Sequence, residues 1–303
     1  ATPRGSGAAR YGRRVRPVVG VMRGPLHARA CPIVLLTLLL LVASVSLFLL
    51  PFPPLRAREA MASPQCCANP PTLDPASGQG SVVDDLGGLR AYTAGSPDSG
   101  LAVLLASDVY GFEAPNLRKI ADKVAAAGYF VVVPDLFHGD PFVLENAERR
   151  PQNVWIKSHS PEKGYEDAKQ VIAALKNKGI SAIGAAGFCW GAKVVTELAK
   201  LGNIQAGVLL HPSFVTVDDM KAVKSPIAVL GAETDHLSPP ALVKQFEEVL
   251  SSNSQVDSFV KIFPGVAHGW TVRYKTDNEF SVNKAEEAHQ DMLDWFNKYT
   301  KKT

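Results

Sequence analysis

Residues 101–107, LAVLLAS, carry no charge, and residues 129–133, YFVVV, repeat the pattern with aromatic and β-branched side chains. Strands that are apolar on both faces must be covered on both faces, which calls for a mostly parallel sheet with helices above and below it. The segment between these two fits. Residues 116–127, NLRKIADKVAAA, put Leu117, Ile120, Ala121 and Val124 on one side at helical spacing, and Gly128 follows as a stop signal. The alternation continues with a helix at 164–178, a small-residue strand at 182–186 and a helix at 192–201. Strands at 206–211, 227–231 and 258–263 follow, with a helix at 241–251 and a closing amphipathic helix at 284–299. With a short edge strand at 89–93, this predicts a single α/β domain over residues 81–303 without internal repeats.

What precedes residue 81 is of another kind. Residues 61–80, MASPQCCANPPTLDPASGQG, are rich in Pro, Gly and Ser and read as an irregular lead-in. Residues 1–60 form an Arg-rich extension, and residues 1–58 hold nine Arg and no Lys, Asp or Glu. The whole chain of 303 residues has a net charge of +3, yet beyond that segment 23 basic residues face all 29 acidic ones. An acidic body argues against a nucleic-acid surface. Within the extension, residues 33–50 are uncharged and resemble a marginal membrane span or the apolar part of a signal sequence. Met61 opens a composition typical of a soluble protein. The expectation is a cytoplasmic chain working from Met61, the alternative being a secretory or membrane-anchored one that keeps 33–50. The four cysteines, Cys31, Cys66, Cys67 and Cys189, show neither a disulfide framework nor zinc spacing.

In open α/β sheets functional residues gather beyond the carboxyl ends of the strands. The stretch AIGAAGFCWGAKVVTELAK, residues 182–200, sets Cys189 between a strand and a helix inside Gly-x-Cys-x-Gly. That is a nucleophile elbow with Cys in place of Ser. The turn leaves no room for side chains two residues before and after the nucleophile, which Gly187 and Gly191 satisfy. The helix that follows favours the thiolate, and the Trp190 amide can serve an oxyanion. A buried structural cysteine is the competing reading. A nucleophile requires an acid and a base, in this fold in that order along the chain. AVLGAETDHLSPP supplies Asp235 after one strand and IFPGVAHGW supplies His268 after the last, with Glu233 and His236 as fallback choices should the first loop turn differently. Asp235 as a turn cap and His268 as a surface-loop histidine are the plainer alternatives.

Together GFCWGA, GAETDHLSPP, AHGWTVR, SDVYGFEAPN and VVVPDLFHGDP make residues 75–300 resemble the dienelactone hydrolase family. The resemblance implies an α/β-hydrolase fold, no cofactor and no metal. It implies a Cys-His-Asp triad of Cys189, His268 and Asp235 acting on a small-molecule ester, lactone or enol-ester, as in a carboxymethylenebutenolidase. It also implies the Val109 amide as second oxyanion donor, and Arg273, with Tyr110 and Trp270, on the substrate. In bacterial members a glutamate at the position of Asp108 touches the resting thiol. Asp108 is one methylene shorter, so that thiol-modulating role is open, as is a loop-cap role. Asp135, His138 and Asp140 read as the mouth of a pocket, which Trp155, Trp190 and Trp270 line unless they are core.

Two other functions compete. Plant members of the family carry the name endo-1,3;1,4-β-D-glucanase, and the sequence from Met61 resembles them. Asp108, Glu113, Asp135 and Asp140 would then have to supply the two carboxyl groups of a glycosidase. The third reading is a non-catalytic small-molecule binding protein of the same fold.

Overall fold

The computed structural model describes residues 64–301. The apolar stretch 33–50 and the start at Met61 lie outside the described residues. Eight strands form one sheet: β1 (Ser81–Val83), β2 (Ala91–Ala94), β3 (Leu101–Ala106), β4 (Phe130–Pro134), β5 (Ala182–Phe188), β6 (Ala206–Leu210), β7 (Ile227–Thr234) and β8 (Ser258–Ala267). Their order is β1-β2-β4-β3-β5-β6-β7-β8. β1 and β2 pair antiparallel, β2 pairs antiparallel with β4, and every other pairing is parallel. The helices are α1 (Pro115–Ala126), α2 (Gln152–Ser158), α3 (Pro161–Asn177), α4 (Trp190–Lys200), α5 (Val217–Ala222), α6 (Pro240–Ser251) and α7 (Glu279–Thr300).

The two-sided strands behave as their composition requires. Along β3, Ala102, Leu104 and Ala106 enter one core, whereas Val103 and Leu105 enter the other. β4 divides likewise, Phe130 and Val132 against Val131 and Val133. The first core is closed by α3 through Val171 and Leu175, by α4 through Val195 and Leu198, and by α6 through Phe246. The second is closed by α1 through Ile120 and Val124 and by α7 through Met292 and Phe296. Each fully buried Leu or Val contributes about 1.5–3 kcal/mol, so neither face of the sheet tolerates charge.

Several elements depart from expectation. α2 and α5 are additional short helices, and α7 starts at Glu279, where the Asn278 side chain accepts from the Ser281 amide. The larger difference is at the end of the sheet. β7 runs past Gly231 to Thr234, and β8 runs through Pro264-Gly265 to Ala267. β8 is the edge strand, where a proline is tolerated. A register irregularity between Ala232 and Thr234 lets Thr234 pair with Ala267. The Gly265 amide donates to the Glu233 carboxylate at 2.7 Å. Asp235 and His268 therefore follow directly on two paired strand ends. Among the described residues, no helix is long and apolar enough to cross a membrane.

Candidate active site

Cys189 joins β5 to α4 with φ 52° and ψ −107°, a conformation that costs a non-glycine residue of order 1–3 kcal/mol. The surroundings hold it there. A Cβ on Gly187 would overlap the Gly191 carbonyl, and one on Gly191 would overlap the carbonyls of Ala106 and Ser107. The carboxyl end of β3 therefore lies directly against the elbow. The Cys189 amide donates to Leu210 O at 3.1 Å, and its carbonyl accepts from the Ser213 amide at 3.0 Å. Trp190 is the first residue of α4, so its amide is among those that find no acceptor inside the helix.

Asp235 and His268 meet at the strand ends, His268 Nδ1 to Asp235 Oδ2 at 2.7 Å, with both side chains at 0% exposure. The other carboxylate oxygen accepts from the amides of Leu237 at 2.8 Å and Ser238 at 3.0 Å, which fixes the carboxylate's orientation. The His268 amide donates to Thr234 O. Burial works to lower the His268 pKa. The Cys189 sulfur beside the ring and the Asp235 carboxylate behind it outweigh burial, and the value is pushed up to about 9. The Cys189 sulfur and the Asp235 carboxylate thus both favour the protonated form of His268.

Asp108 does cap its own loop, with Oδ1 accepting from the Tyr110 amide at 3.0 Å. It is buried at 3% exposure and faces Arg273, with Oδ2 3.2 Å from the guanidinium Nε. Burial raises its pKa against the opposing pull of Arg273, the Tyr110 amide and His268. Arg273 is itself buried, beside the Tyr110 ring at 5.7 Å. Trp270 packs on His211 and Phe263, with ring centroids 5.3 Å apart in both cases. Val109 is fully buried, and its carbonyl accepts from the Phe142 amide.

A strap of chain crosses this edge. The Gln65 side chain donates to Thr234 O and accepts from the His236 amide, both at 2.7 Å, so it grips the loop that bears Asp235 from both sides. Cys67 O accepts from the Tyr110 hydroxyl at 2.7 Å, and Ala68 O accepts from Arg273 Nη1 at 2.9 Å. Under the strap Cys189, Asp235 and His268 are 0%, 3% and 5% exposed. The lead-in thus forms part of the site's wall, which its irregular composition did not suggest.

The remaining candidates lie elsewhere. Glu233 and His236 are exposed and have other partners, as above. Asp135 is capped by the amides of Phe137 and Gly139, and Asp140 by the Arg150 guanidinium. His138 pairs with Asp167 at 2.8 Å on an outer cavity of about 610 Å³ that Asp140, Arg150 and His159 also line. Trp155 and Trp190 are core, 1% and 0% exposed, both packed on Phe137. No group of three metal-ligating side chains converges among the described residues. Sequence reasoning passed over His211 and Ser213, which follow β6 at the same edge; the strand-end rule applied to HPS would have found them. Ser213 Oγ lies 3.5 Å from Cys189 Sγ, and the His211 ring lies 5.0 Å from that of His268.

An eight-stranded, mostly parallel sheet with this elbow and these strand-end loops is an α/β-hydrolase fold. Solved structures agree on the fold. A putative dienelactone hydrolase from Klebsiella pneumoniae superposes with a TM-score of 0.56 at 20% identity, covering 70% of this chain and 93% of that one. TT1662 from Thermus thermophilus does so at 0.55 and 15% identity, covering 74% and 99%. The family model of the dienelactone hydrolases matches residues 89–300, and the chain belongs to the dienelactone hydrolase family. A maize (Zea mays) protein named endo-1,3;1,4-beta-D-glucanase is 48% identical over 205 residues, which cover 66% of either chain. A carboxymethylenebutenolidase homolog from Xenopus tropicalis is 33% identical over 216 residues, 70% of this chain and 87% of that one.

Proposed function

We propose that the chain is a cysteine-dependent hydrolase of a small ester, lactone or enol-ester, with Cys189 as nucleophile, His268 as base and Asp235 as the acid that orients it. The observation that carries this reading is the buried Asp235–His268 contact of 2.7 Å set beside a cysteine on a strained elbow. His268 Nε2 takes the thiol proton, and Sγ bonds to the carbonyl carbon. The oxyanion is held by the amides of Trp190 and Val109. Collapse breaks the bond to the leaving oxygen, which leaves with the proton from His268. A water then loses its proton to His268 and attacks the thioester, and the C–S bond breaks to regenerate the thiolate. Arg273, which donates to Ala68 O and faces Asp108, is the group for a substrate carboxylate, with Tyr110 beside it and Trp270 on the same loop.

The name of the maize relative motivates a second reading, cleavage of a mixed-linkage β-glucan. That chemistry uses two carboxyl groups flanking the bond, yet Asp108 is held by Arg273, Asp135 by backbone amides and Asp140 by Arg150, so of the four candidates Glu113 is left, and one carboxylate does not make a pair. Hydrolysis of p-nitrophenyl acetate and of simple lactones by the wild type and by Cys189→Ala tests the proposal. The expected result is turnover that disappears with the thiol. Release of reducing sugar from β-glucan that survives Cys189→Ala would overturn it.

A further inference from the structure

Asp108, at the position of the family's thiol-contacting glutamate, is paired with Arg273 at 3.2 Å. Besides His268, a side chain from the end of another strand meets the sulfur. Ser213 Oγ is 3.5 Å from Cys189 Sγ, within hydrogen-bonding range for sulfur, and Ser213 is 2% exposed.

The backbone makes this contact a built one. Two hydrogen bonds tie the loop after β6 to the elbow, Cys189 N to Leu210 O at 3.1 Å and Ser213 N to Cys189 O at 3.0 Å. The same loop holds two non-glycine residues at positive φ, His211 at 39° and Phe214 at 63°. Such conformations persist only where the surroundings over-determine them. Serine therefore sits at a fixed distance from the sulfur, in a place without solvent, where a hydroxyl proton needs an acceptor.

We propose that Ser213 is a fourth catalytic side chain, whose hydroxyl donates a hydrogen bond to the Cys189 thiolate and stabilises it over the thiol. A bond to the charged sulfur is stronger than one to the neutral thiol, so the contact favours ionisation. Both half-reactions use this: the thiolate is the attacking group in the first and the leaving group in the second. The other groups around the sulfur are His268 with Asp235 behind it from the β7 and β8 ends, His211 from the β6 end, and Asp108 with Arg273. None of these is the hydroxyl donor that Ser213 provides. The inference rests on Cys189 being the nucleophile only for its kinetic consequence, since the effect on the thiol is read directly.

The test is the pH titration of thiolate absorbance at 240 nm, with the spectrum of Cys189→Ala subtracted to remove the other cysteines. Ser213→Ala should raise the midpoint by about one unit. It should also lower kcat/KM for p-nitrophenyl acetate about tenfold near pH 6, a deficit that closes as pH passes the new midpoint. Ser213→Thr, which keeps the hydroxyl, should restore the wild-type midpoint. An unmoved midpoint in a Ser213→Ala protein that melts like wild type overturns the proposal, as does a threonine variant no better than alanine. If the midpoint moves but Cys189→Ala still hydrolyses the ester, the nucleophile reading has failed and the hydrogen bond stands.

Discussion

Two of the histidine–aspartate pairs among the described residues are nearly equal in length. His268 and Asp235 are 2.7 Å apart with both side chains at 0% exposure. His138 and Asp167 are 2.8 Å apart with the side chains at 61% and 28%. Distance alone would rank them together. What separates them is the rest of the environment: two backbone amides on the second oxygen of Asp235, a cysteine on the far side of His268, and exclusion of water. An exposed pair shares its charge with solvent and is worth little, whereas a buried one sets the protonation state of its neighbours.

The largest effect should come from breaking the buried pair. Asp235→Asn should lower kcat for ester hydrolysis on the order of 10³–10⁴-fold, while Asp167→Asn should leave kcat and KM unchanged in the same assay. The glycines beside each region differ in the same sense. Gly191→Ala drives a Cβ into two carbonyls, so chemical denaturation should report a loss of about 3 kcal/mol or more. Gly139→Ala, next to His138, meets open space and bears only the strain of φ 79°, about 1 kcal/mol.

Stability against pH should show the buried histidines on both sides of neutrality. His268, raised to about 9, binds its proton more tightly in the folded state than in the unfolded one, where the value is 6.5. Its contribution is therefore fully present below pH 6.5 and is lost as pH rises through about 9. Cys189→Ala should flatten that alkaline fall in melting temperature. His289, buried and pulled down to about 4, behaves in the opposite way: its contribution is present above pH 6.5 and is lost as pH falls toward 4. The smallest effect belongs to the exposed pair, where His138→Ala should change stability by less than about 0.5 kcal/mol in the same melts.

Most of the sheet was readable because its strands have no polar face. LAVLLAS and YFVVV have one workable solution, and Gly-x-Cys-x-Gly has one reason to hold two glycines at that spacing. The extension of β7 and β8 was less accessible. Pro264-Gly265 looks like a strand stop, and only the pairing of Thr234 with Ala267 shows the chain continuing past it. Asp108 was legible as a site residue but not its partner, since Arg273 lies more than 160 residues away and their contact depends on how two loops turn. Gln65 gave no sign at all. A polar residue in a Pro-rich stretch acquires its role only from the two backbone groups that it meets.

The two ends of the described chain have different mechanical access to the chemistry. Thr300, which closes α7, hydrogen-bonds Tyr129 just before β4, at the amino-terminal edge of the parallel strands. The strap at 64–68 is fastened to the opposite edge through Gln65, Cys67 and Ala68. A load applied to the carboxyl terminus passes into the back of the sheet, far from the sulfur. A load applied at residue 64 pulls first on the loop of Asp235, then on Tyr110 and Arg273. Anchoring the protein to a surface by one end or the other is thus a choice between leaving the site shut and tugging at its seal.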